Sequence, residues 1–567
     1  MERIIECVPN FSEGRNREII GEIVGAIEKS GGVKVLDVDP GEATNRTVVT
    51  FVGSPEAVLE AAFQGVRKAG ELIDMRHHHG AHPRSGATDV LPLVPVSGIT
   101  LEECAELARS LAERIFRELE IPCYCYESAA FKPERKNLAV CRAGEYEALP
   151  EKMTDPDRAP DFGPGEFTER AAQCGATNVG ARDFLIAVNY NLNTTSTRRA
   201  NAIAFDVREK GRPKREGNPV TGAIVKDADG NTIMIPGTLK GCKAIGWYID
   251  EYGIAQVSMN ITDINTTPLH RAFDEVCRAA AARGIRVTGA EIVGMVPKRV
   301  LTEAGKYYLE KQHRSTGISE DEIIRIAVKS MGLDDLRPFS PQEKVIEYVM
   351  ESEEERAARE RLVRMTCKAF AYETASESPA PGGGSISAYM GALGAALGTM
   401  VANLSSHKPG WDDRWKEFSG WASKGQDILS RLLALTDEDT AAFNMIMSAL
   451  GMPKGTDEEK AARTEALEKA TLYATEIPLK TMLTVSETFP LLEAMAAEGN
   501  PNSVSDAGVG ALAARSAVLG AYLNVKINAA GLTDRSKAES LCAQAREIAD
   551  SAISREAGIL DTVHSRI

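Results

Sequence analysis

The first third of the chain alternates short β-branched segments with longer segments whose apolar residues recur every three or four positions. Residues 33–38 and 47–52 are rich in valine and are bounded by glycine or proline, which predicts two strands. Residues 17–29, 55–74 and 100–119 carry apolar residues at helical spacing. This alternation predicts an α/β layer in which helices pack on a sheet.

A second alternation of the same kind follows residue 180, after a stretch containing glycine and proline at 160–180. Its predicted strands and helices are, in chain order, a strand at 184–188, a helix at 195–209, strands at 244–249 and 254–261, a helix at 267–283 and a short strand at 285–287. This order of elements predicts a second, smaller α/β unit.

The pattern changes near residue 350. An acidic run at 351–356 is typical of a solvated, helix-prone connector. Beyond it strand signals disappear, and alanine, leucine, methionine and glutamate dominate, as in a helical bundle. The predicted fold class is therefore multidomain: two α/β subdomains, sandwich-like in the α+β sense, followed by an all-α helical bundle. The predicted divisions are 1–182, 183–345, a linker at 346–357, and 358–567.

One stretch, residues 386–404, contains no charged residue and has about the 20-residue length of a membrane span. Its content of alanine, glycine and serine weakens membrane insertion, so we predict a buried helix of the all-α domain and no membrane partner. The N-terminus carries acidic residues where a secretion signal needs an apolar run. We therefore expect a soluble, cytoplasmic protein.

Composition limits the possible functions. The chain has 567 residues, 43% hydrophobic and 26% charged, which is ordinary for globular proteins and long enough for several domains. Its net charge of −15 argues against a nucleic-acid partner, which requires a basic face. None of the ten cysteines forms a Cys-x-x-Cys pair, and Cys123 and Cys125 share one face of a predicted strand. This pattern favours free thiols over structural zinc.

Four of the eight histidines lie close together, at His77, His78, His79 and His82. Imidazole titrates near neutral pH, so the cluster can supply a general base or metal ligands. The Gly-Ala break argues against metal, and a polar loop with incidental histidines is the third alternative. Arg84 follows closely and offers a guanidinium that can bind a carboxylate at two points, although a solvated loop arginine is more common.

A set of short motifs is spread over the first 345 residues, at 7–14, 36–39, 45–48, 80–84 with Gly86 and Asp89, 142–149, 160–164, 246–248, 291–294 and 338–341. Together these motifs resemble those of the formimidoyltransferase family. An insertion at about 214–238 departs from the animal enzymes. Within it residues 224–235 predict a hairpin turning at Asp-Gly, and a calcium loop is rejected because its twelfth position is Thr238.

The resemblance implies transfer of a formimidoyl group from N-formimidoyl-glutamate to N5 of tetrahydrofolate, with His82 as the catalytic histidine. A base must accept the N5 proton, and an acid must return a proton to the departing nitrogen. From the chemistry, Arg84 is a candidate for holding a substrate carboxylate and Asp39 for orienting His82 or the pterin. The family's folate-contacting stretch falls on 162–171 and matches best at its start; its candidate residues are Phe162, Gly163, Pro164, Gly165, Glu166 and Phe167.

The helical third carries two features of its own. A glycine-rich helix entry, at which backbone amides can meet an anion, comprises Gly382, Gly383, Gly384 and Ser385. Asp439 shares a helical stripe with Leu435, Phe443 and Ile446, so it is a candidate buried acid. The alternative is a helix start in which Thr436 and Asp439 form a capping box.

These features, with Asn502, Ser505, Asp506 and residues 521–525, resemble cyclodeaminase domains across 358–567. The resemblance implies that N10 of formimidoyl-tetrahydrofolate attacks the same carbon, closing a ring and losing ammonia. Ammonia leaves only when protonated, so an acid is required. Asp439 is the first candidate acid and Asp437 the second, and the glycine-rich entry with Asn502 and Asp506 is expected to bind folate.

Tetrahydrofolate, expected in its polyglutamylated form, is thus the implied co-substrate, formimidoylglutamate the second substrate, and no metal is expected. The basic tract at 208–215 is a candidate for retaining a polyglutamate tail, with a solvated loop as the alternative. The resemblance and the alanine-rich helices predict a homo-oligomer. The rival functions are a glutamate formyltransferase, a methenyltetrahydrofolate cyclohydrolase and a non-catalytic assembly scaffold.

Overall fold

A computed structural model of the chain describes residues 3–41, 45–80, 83–217, 221–250, 252–351 and 353–567. Contacts within the chain divide it into two compact units. Unit 1 comprises Met1–Val300 and Met331–Met350, and unit 2 comprises Leu301–Ser330 and Glu351–Ile567. Residues 301–330, predicted to belong to the second α/β subdomain, thus group with unit 2, and the predicted boundary at 345 stays a prediction.

The first part of unit 1 is a seven-stranded sheet that carries helices on both faces. Its strands are β1 (Ile4–Cys7), β2 (Asn10–Phe11), β3 (Val33–Gly41), β4 (Arg46–Gly53), β5 (Thr88–Ser97), β6 (Cys123–Glu127) and β7 (Thr177–Ala181). The sheet runs from β3 through β4, β1 and β2, β5 and β7 to β6. The pairings of β7 with β5 and β6 are parallel, whereas the pairings among β1 to β5 are antiparallel.

The helices of this part are α1 (Arg17–Lys29), α2 (Pro55–Leu72), α3 (Leu101–Leu119), α4 (Leu138–Cys141), α5 (Leu149–Thr154) and α6 (Glu169–Cys174). Helices α1 to α3 share one hydrophobic core with the sheet, as the sequence pattern predicts. Helix α3 begins with a capping box between Thr100 and Glu103 and ends at Glu120 in the left-handed conformation. The predicted helix bounds are met to within two residues.

The second part of unit 1 is a four-stranded antiparallel sheet in the order β11-β12-β8-β13. This part also contains a separate two-stranded sheet of β9 and β10. Its elements are β8 (Ile186–Leu192), α7 (Thr197–Val207), β9 (Arg212–Pro213), β10 (Met234–Ile235), β11 (Cys242–Ile249), β12 (Ile254–Ile261), α8 (Leu269–Ala281) and β13 (Val287–Val293). Gly246 allows β11 to approach α7, since a Cβ there would lie 2.2 Å from the backbone nitrogen of Asn201. The predicted Asp-Gly turn is present, with Gly230 at a φ of +84°.

The remaining helices are α9 (Lys298–Lys311), α10 (Glu320–Met331), α11 (Pro341–Lys344), α12 (Ile346–Met350), α13 (Glu353–Arg359), α14 (Cys367–Thr374), α15 (Gly383–Ser406), α16 (Trp415–Leu450), α17 (Asp457–Ser486), α18 (Thr488–Glu498), α19 (Val504–Ala529) and α20 (Arg535–His564). Mixed α/β sheets followed by a helical C-terminal region confirm the predicted fold class.

Helix α15 packs on α16 and α19 in the core of unit 2. Two glycines permit close approach of its neighbours: a Cβ on Gly394 would lie 2.9 Å from the carbonyl of Gly510, and one on Gly398 would lie 2.9 Å from Leu491. Among the described residues, Gly383–Ser406 and Pro501–Ala529 are long and apolar enough to cross a membrane, and 61% and 44% of their most apolar windows are buried inside the protein. This is weak evidence for a membrane span, because the core helix of a soluble protein passes the same test.

All ten cysteines lie within the described residues and are free thiols. Cys123 and Cys125 point from one face of β6 into the core that α1 to α3 cover. Burial raises the pKa of the Cys125 thiol to about 12, so this thiol is protonated and unreactive at neutral pH.

Candidate active sites

The histidine-containing loop of unit 1 connects α2 to β5. The predicted catalytic histidine, His82, and its neighbour Ala81 lie outside the described residues. The three other histidines differ in exposure: His77 and His79 are exposed, whereas His78 is buried. Within the described part of the chain, no group of three His, Cys, Asp or Glu side chains is arranged to hold a metal ion.

His78 anchors this loop to the β3–β4 connection. Its Nε2 lies 2.9 Å from the carbonyl oxygen of Asn45, which can only accept, so Nε2 carries the proton. Its Nδ1 therefore accepts from Nε of Arg84, at 3.4 Å. Burial lowers the pKa of His78, which keeps the ring neutral. With both nitrogens committed to the protein, His78 has a structural role.

Arg84 is buried and paired with two carboxylates of the protein. Its terminal nitrogens donate to the two oxygens of Glu147 at 2.7 and 2.9 Å, and to Glu145 at 2.9 Å. Hydrogen bonds from Arg84 lower the pKa of Glu147, so this carboxylate stays ionised. The carboxylate of a substrate, which Arg84 is predicted to hold, would have to compete with both side chains.

A cavity of about 440 Å³ opens beside this pair. Its lining residues are His79, Gly80, Arg84, Gly144, Glu145 and Glu147. In the sequence, Gly80 and Arg84 flank the segment that contains His82. Among the described lining residues two carboxylates face one guanidinium, so the acidic side chains outnumber the arginine. Such a cavity favours a cationic group.

Ion pairs join the segment 142–147 to the segment 84–89, and each segment supplies an arginine to a carboxylate of the other. Arg142 bonds to the buried carboxylate of Asp89, which also accepts from the backbone nitrogen of Ser85 at 2.9 Å. In the other direction Glu145 and Glu147 bond to Arg84. Glu145 adopts a φ of +56°, which is strained for a residue with a side chain. The two segments therefore fix each other at the cavity.

The candidate folate stretch begins at β6 and ends near the cavity. The backbone of Phe162 exchanges two hydrogen bonds with Cys123, and its ring packs on Phe131 at 5.9 Å. Pro164 is partly buried, Gly165 and Glu166 are exposed, and a Cβ on Gly163 would lie 2.6 Å from the ring of Pro160.

The ring of Phe167, the last of the candidate residues, packs on the ring of Tyr146, with 6.4 Å between the ring centres. The backbone nitrogen of Tyr146 in turn donates to the carbonyl of Arg84. The structure thus brings Phe167 into the neighbourhood of Arg84. Asp39 lies on β3, exposed and opposite Val48 of β4, and its charge acts on Arg46 of the same strand pair.

The candidate acid of unit 2, Asp439, lies in the middle of α16 and faces the N-terminus of α15. Its Oδ2 accepts from the hydroxyl of Ser385 at 2.9 Å, and that hydroxyl lies 3.1 Å from Thr440 Oγ1. A Cβ on Gly384 would lie 2.1 Å from Oδ1 of Asp439. Gly384 therefore permits the close approach of the helix to a carboxylate of the protein itself. Burial raises the pKa of Asp439, and the hydrogen bonds from Ser385 oppose this shift.

Asp437, the second candidate acid, accepts hydrogen bonds from two backbone amides. Its two oxygens accept from the amides of Leu362 and Val363 at 2.7 and 3.2 Å. Burial raises its pKa as well, against those two hydrogen bonds. The capping-box alternative for Thr436 and Asp439 is wrong, because α16 runs unbroken from Trp415 to Leu450 and Thr436 donates to the carbonyl of Leu432.

Asn502 and Asp506 lie at the other end of α15. Asn502 lines a second cavity of about 730 Å³, whose other lining residues are Ala396, Thr399, Met400, Asn403, Leu404, His407, Lys408, Pro409, Gln426, Leu429 and Asn500. Asn403 follows Ser385 by 18 residues of α15, about 27 Å at 1.5 Å per residue. Within one chain, the structure therefore separates Asn502 and Asp506 from the glycine-rich entry.

Sequence comparisons identify the family. Models of three domain families match the chain: "Formiminotransferase domain, N-terminal subdomain" over residues 4–182, "Formiminotransferase domain" over 187–351, and "Formiminotransferase-cyclodeaminase" over 366–547. The rat formimidoyltransferase-cyclodeaminase is 41% identical over 534 residues, covering 94% of each chain. The chain belongs to the formimidoyltransferase-cyclodeaminase family.

Relatives of each half also occur as separate proteins. The glutamate formimidoyltransferase of Streptococcus pyogenes is 41% identical and covers 55% of this chain and 94% of its own length. The methenyltetrahydrofolate cyclohydrolase of Methylorubrum extorquens is 37% identical and covers 36% of this chain and 97% of its own length. Each half of this family member therefore has independent counterparts.

Three residues near these sites received no role from the sequence. Glu145 and Glu147 line the cavity of unit 1, and both belong to the 142–149 motif that carries part of the family resemblance. Asn524, from the 521–525 motif, lies beside the glycine-rich entry: its Nδ2 is 3.2 Å from where a Cβ of Gly383 would be. Membership of a family motif was the available signal for all three.

Proposed function

We propose that this chain transfers the formimidoyl group of N-formimidoyl-L-glutamate to tetrahydrofolate and then closes 5-formimidoyltetrahydrofolate to 5,10-methenyltetrahydrofolate with release of ammonia. The observation that carries the proposal is full-length similarity to formimidoyltransferase-cyclodeaminase, together with a candidate site in each unit. Both reactions act on one folate, which gives a reason for the two catalysts to share a chain.

In the transfer, N5 of the folate attacks the formimidoyl carbon and a base accepts its proton. His82 is the proposed base, and the same imidazole returns a proton to the departing glutamate nitrogen. His78 is unsuited to this task because its Nε2–H is given to Asn45 and its Nδ1 faces Arg84. The described part of the cavity supplies charged groups that bind and orient the donor.

In the ring closure, N10 attacks the same carbon and the nitrogen leaves as ammonia. A carboxyl whose pKa is raised by burial retains its proton at higher pH and can give it to the leaving nitrogen. Asp439 fits this role, because its carboxylate faces the glycine-rich entry and accepts hydrogen bonds from Ser385, whereas the two oxygens of Asp437 bond to the amides of Leu362 and Val363, away from that entry. The proposed acid is therefore Asp439, and Asp437 is a positioning residue.

The finer assignments are also proposals. The folate is expected in its polyglutamylated form, and the 208–215 tract is a weak candidate for its tail, because Arg208 and Arg215 donate to backbone carbonyls and Arg212 pairs with Asp206. The substrate class assigns the reaction to histidine degradation and one-carbon metabolism. Ten free thiols support a reducing compartment, the cytoplasm.

A homo-oligomer is proposed from two helix faces of unit 2. On α15, apolar residues alternate at spacings of four and three, as in a coiled-coil seam: Ile386, Met390, Leu393, Leu397, Met400 and Leu404. Leu393 and Leu404 are 47% and 46% exposed, and on the neighbouring α19 Leu512 and Leu523 are 44% and 65% exposed. An antiparallel pair of copies would bring the Ser385 end of one α15 to the Asn403 end of the other.

The rivals keep the folds and change the chemistry: an N-formyl-glutamate donor, hydrolysis of methenyl-tetrahydrofolate, or a scaffold without catalysis. The decisive experiment supplies the full chain with formimidoylglutamate and tetrahydrofolate and follows methenyl-tetrahydrofolate absorbance and ammonia together. Parallel samples carry His82→Ala, Asp439→Asn or the matched control Asp427→Asn, a 69% exposed aspartate of the same helix.

We expect product from the parent and the control, none from His82→Ala, and accumulated formimidoyl-tetrahydrofolate from Asp439→Asn. Turnover of the parent only with formyl-glutamate would establish the rival transferase. Hydrolysis of supplied methenyl-tetrahydrofolate without ammonia release would favour the cyclohydrolase, and inactivity with all donors would favour the scaffold.

A further inference from the structure

The two acidic side chains of the unit 1 cavity remain accessible although they are paired with Arg84. The side chains of Glu145 and Glu147 are 41% and 62% exposed, whereas that of Arg84 is 9% exposed. Only one oxygen of Glu145 bonds to Arg84. Because each carboxylate oxygen can accept more than one hydrogen bond, both side chains retain capacity toward the cavity.

We propose that Glu145 and Glu147 bind the cationic amidinium of the formimidoyl donor and thereby select it over a formyl donor. The inference rests on the proposed transferase function, and it concerns which one-carbon group the site accepts. Glu145 and Glu147 are thus specificity-determining residues that contact the substrate, separate from the histidine that moves the proton.

The chemistry of the donor fits this pair of carboxylates. A formimidoyl group on nitrogen is an amidine, which is protonated at neutral pH and presents parallel N–H donors from a planar N–C–N unit. A carboxylate binds such a unit at two points, as it binds a guanidinium. Glu147 already holds the guanidinium of Arg84 in this way, at 2.7 and 2.9 Å. A contact of the kind proposed for the substrate therefore already occurs in the site, between Glu147 and Arg84.

A formyl donor offers the opposite pattern. Its one-carbon group is uncharged, and where the amidinium has an N–H donor the formyl group carries a carbonyl oxygen, which can only accept. Facing a carboxylate, this oxygen forms no hydrogen bond and leaves the acidic cavity without its counter-charge. Discrimination between polar groups is strong when a mismatched substrate leaves the polar groups of the site unpaired.

The backbone of this segment supports a functional role for Glu145. Its φ of +56° follows Gly144 at +77°, so two consecutive residues adopt left-handed values. Strain of this kind persists where the surroundings enforce it, as it does at many binding sites. Here the backbone nitrogen of Glu145 donates to the carbonyl of Arg142 and its side chain pairs with Arg84, which together direct the carboxylate to the cavity.

The same contact serves the reaction. The protonated amidinium is the electrophilic form: as N5 adds to its carbon, the C=N electron pair moves onto the donor nitrogen, which becomes a neutral amine, and N5 gives its proton to the base. Carboxylates that bind this charge hold the donor in its reactive protonation state and orient the carbon toward the folate. No bond or proton transfer beyond those of the proposed transfer is involved.

The test compares two donors, N-formimidoyl-glutamate and N-formyl-glutamate, with the full-length chain and its variants Glu145→Gln, Glu147→Gln and the double variant. The matched control is Glu151→Gln, an 80% exposed glutamate paired with Arg158 on the surface. We expect kcat/KM for the formimidoyl donor to fall on the order of 10- to 100-fold in the double variant, the range for losing charge-assisted hydrogen bonds. The KM for tetrahydrofolate and any turnover of the formyl donor should be unchanged.

Equal loss with both donors, or unchanged selectivity, would overturn the proposal, since a purely structural role predicts no change in the ratio. Should the double variant fail to fold, Glu145→Gln alone carries the test, because Arg84 keeps its two-point contact with Glu147. Calorimetric binding of N-formimidoyl-glutamate tests the proposed transferase function separately from the proposed role of the two carboxylates. A parent that binds this donor but does not transfer from it contradicts the proposed function, whereas variants that bind as well as the parent contradict the role of the carboxylates.

Discussion

Arg84 and Glu147 form a two-point ion pair between a buried guanidinium and a carboxylate at the surface. The guanidinium nitrogens lie 2.7 and 2.9 Å from the carboxylate oxygens, and the side chains are 9% and 62% exposed. The same guanidinium contacts Glu145 and the carbonyl of His78, so one buried side chain joins the histidine-containing loop to the 142–147 segment. The cavity of unit 1 keeps its shape through this residue.

Arg84→Met is therefore expected to destabilise unit 1. The substitution preserves apolar volume but leaves Glu145 and Glu147 facing each other without a counter-charge, a loss we place at about 1–3 kcal/mol in the free energy of unfolding because both carboxylates are partly solvated. Denaturant melts of the full chain measure it. The control Arg76→Met removes the solvent-accessible ion pairs of Arg76 with Asp74 and Glu169 and should change stability by less than about 1 kcal/mol. Equal melts for both variants would contradict this account.

Gly384→Ala is expected to abolish ring closure while leaving formimidoyl transfer intact. The new Cβ would lie 2.1 Å from Oδ1 of Asp439, so the carboxylate or the start of α15 has to move. The matched control is Gly382→Ala, where the nearest atom lies 3.9 Å away. Ammonia release from supplied 5-formimidoyltetrahydrofolate measures the effect. If both variants lose activity equally, the glycines serve close approach of a ligand, as the sequence alone suggests.

The sequence predicted elements well where the pattern is local. Helix α1 matches its predicted range because Ile20, Ile23 and Ile27 form a buried stripe and Asn16 caps its start. Strands β3, β4, β8, β11 and β12 were likewise predicted from β-branched residues between turn signals, with shifted bounds, as at β8, which begins at Ile186 instead of 184. Strands β1, β2, β5 and β7 were not predicted, and the strand predicted at 285–287 meets β13 only at Val287. Alternating burial within a sheet is encoded in neighbouring residues, so these elements need no knowledge of distant contacts.

The partners of the candidate site residues could not be predicted in the same way. The stripe of Asp439 indicated an inward-facing carboxylate, but its contact with Ser385 joins residues 54 positions apart. The contacts of Arg84 with Glu145 and Glu147 span 61 and 63 positions, and no spacing rule connects them. Asp439 was ranked above Asp437 from the helical stripe alone, because the distant backbone amides that bond to Asp437 leave no sequence pattern.

Glu6 makes the stability of unit 1 dependent on pH. Burial in β1 raises the pKa of this carboxyl to about 7, against the opposing charge of Arg182. The folded state thus binds the proton more tightly than the unfolded chain, whose pKa is the ordinary 4.5. The stabilisation is complete below about pH 4.5 and is lost as the pH rises toward 7. Glu6→Gln should therefore stabilise the protein at pH 8 by about 3 kcal/mol and leave it unchanged at pH 4.

Paired melts of parent and variant across this pH range check the prediction, since the difference between them removes the titration of all other groups. Glu127→Gln is an informative companion, because burial also raises the pKa of that carboxyl while it is opposed by the same Arg182. A difference that does not change with pH would show that folding leaves the pKa of Glu6 unchanged.

The last prediction concerns assembly through the exposed leucines of α15 and α19, Leu393, Leu404, Leu512 and Leu523, which are here called the seam. Leu393→Glu and Leu523→Glu place charges on side chains that are 47% and 65% exposed in the single chain. If a second copy covers these side chains, each charge is buried without a partner and the association constant should fall at least about tenfold. The matched control is Ile553→Glu, a 42% exposed residue of α20 away from the seam.

Sedimentation velocity of the full chain gives the assembled mass of each variant, and the two half-reactions are assayed on the same samples. We expect smaller assemblies for both seam variants and an unchanged mass for the control. Because Ser385 and Asn403 lie at opposite ends of α15, loss of ring closure together with assembly would mean that two copies complete one folate site. Ring closure that survives dissociation would instead assign the whole reaction to the Asp439 end of a single chain, and an unchanged mass in both seam variants would refute the seam as the interface.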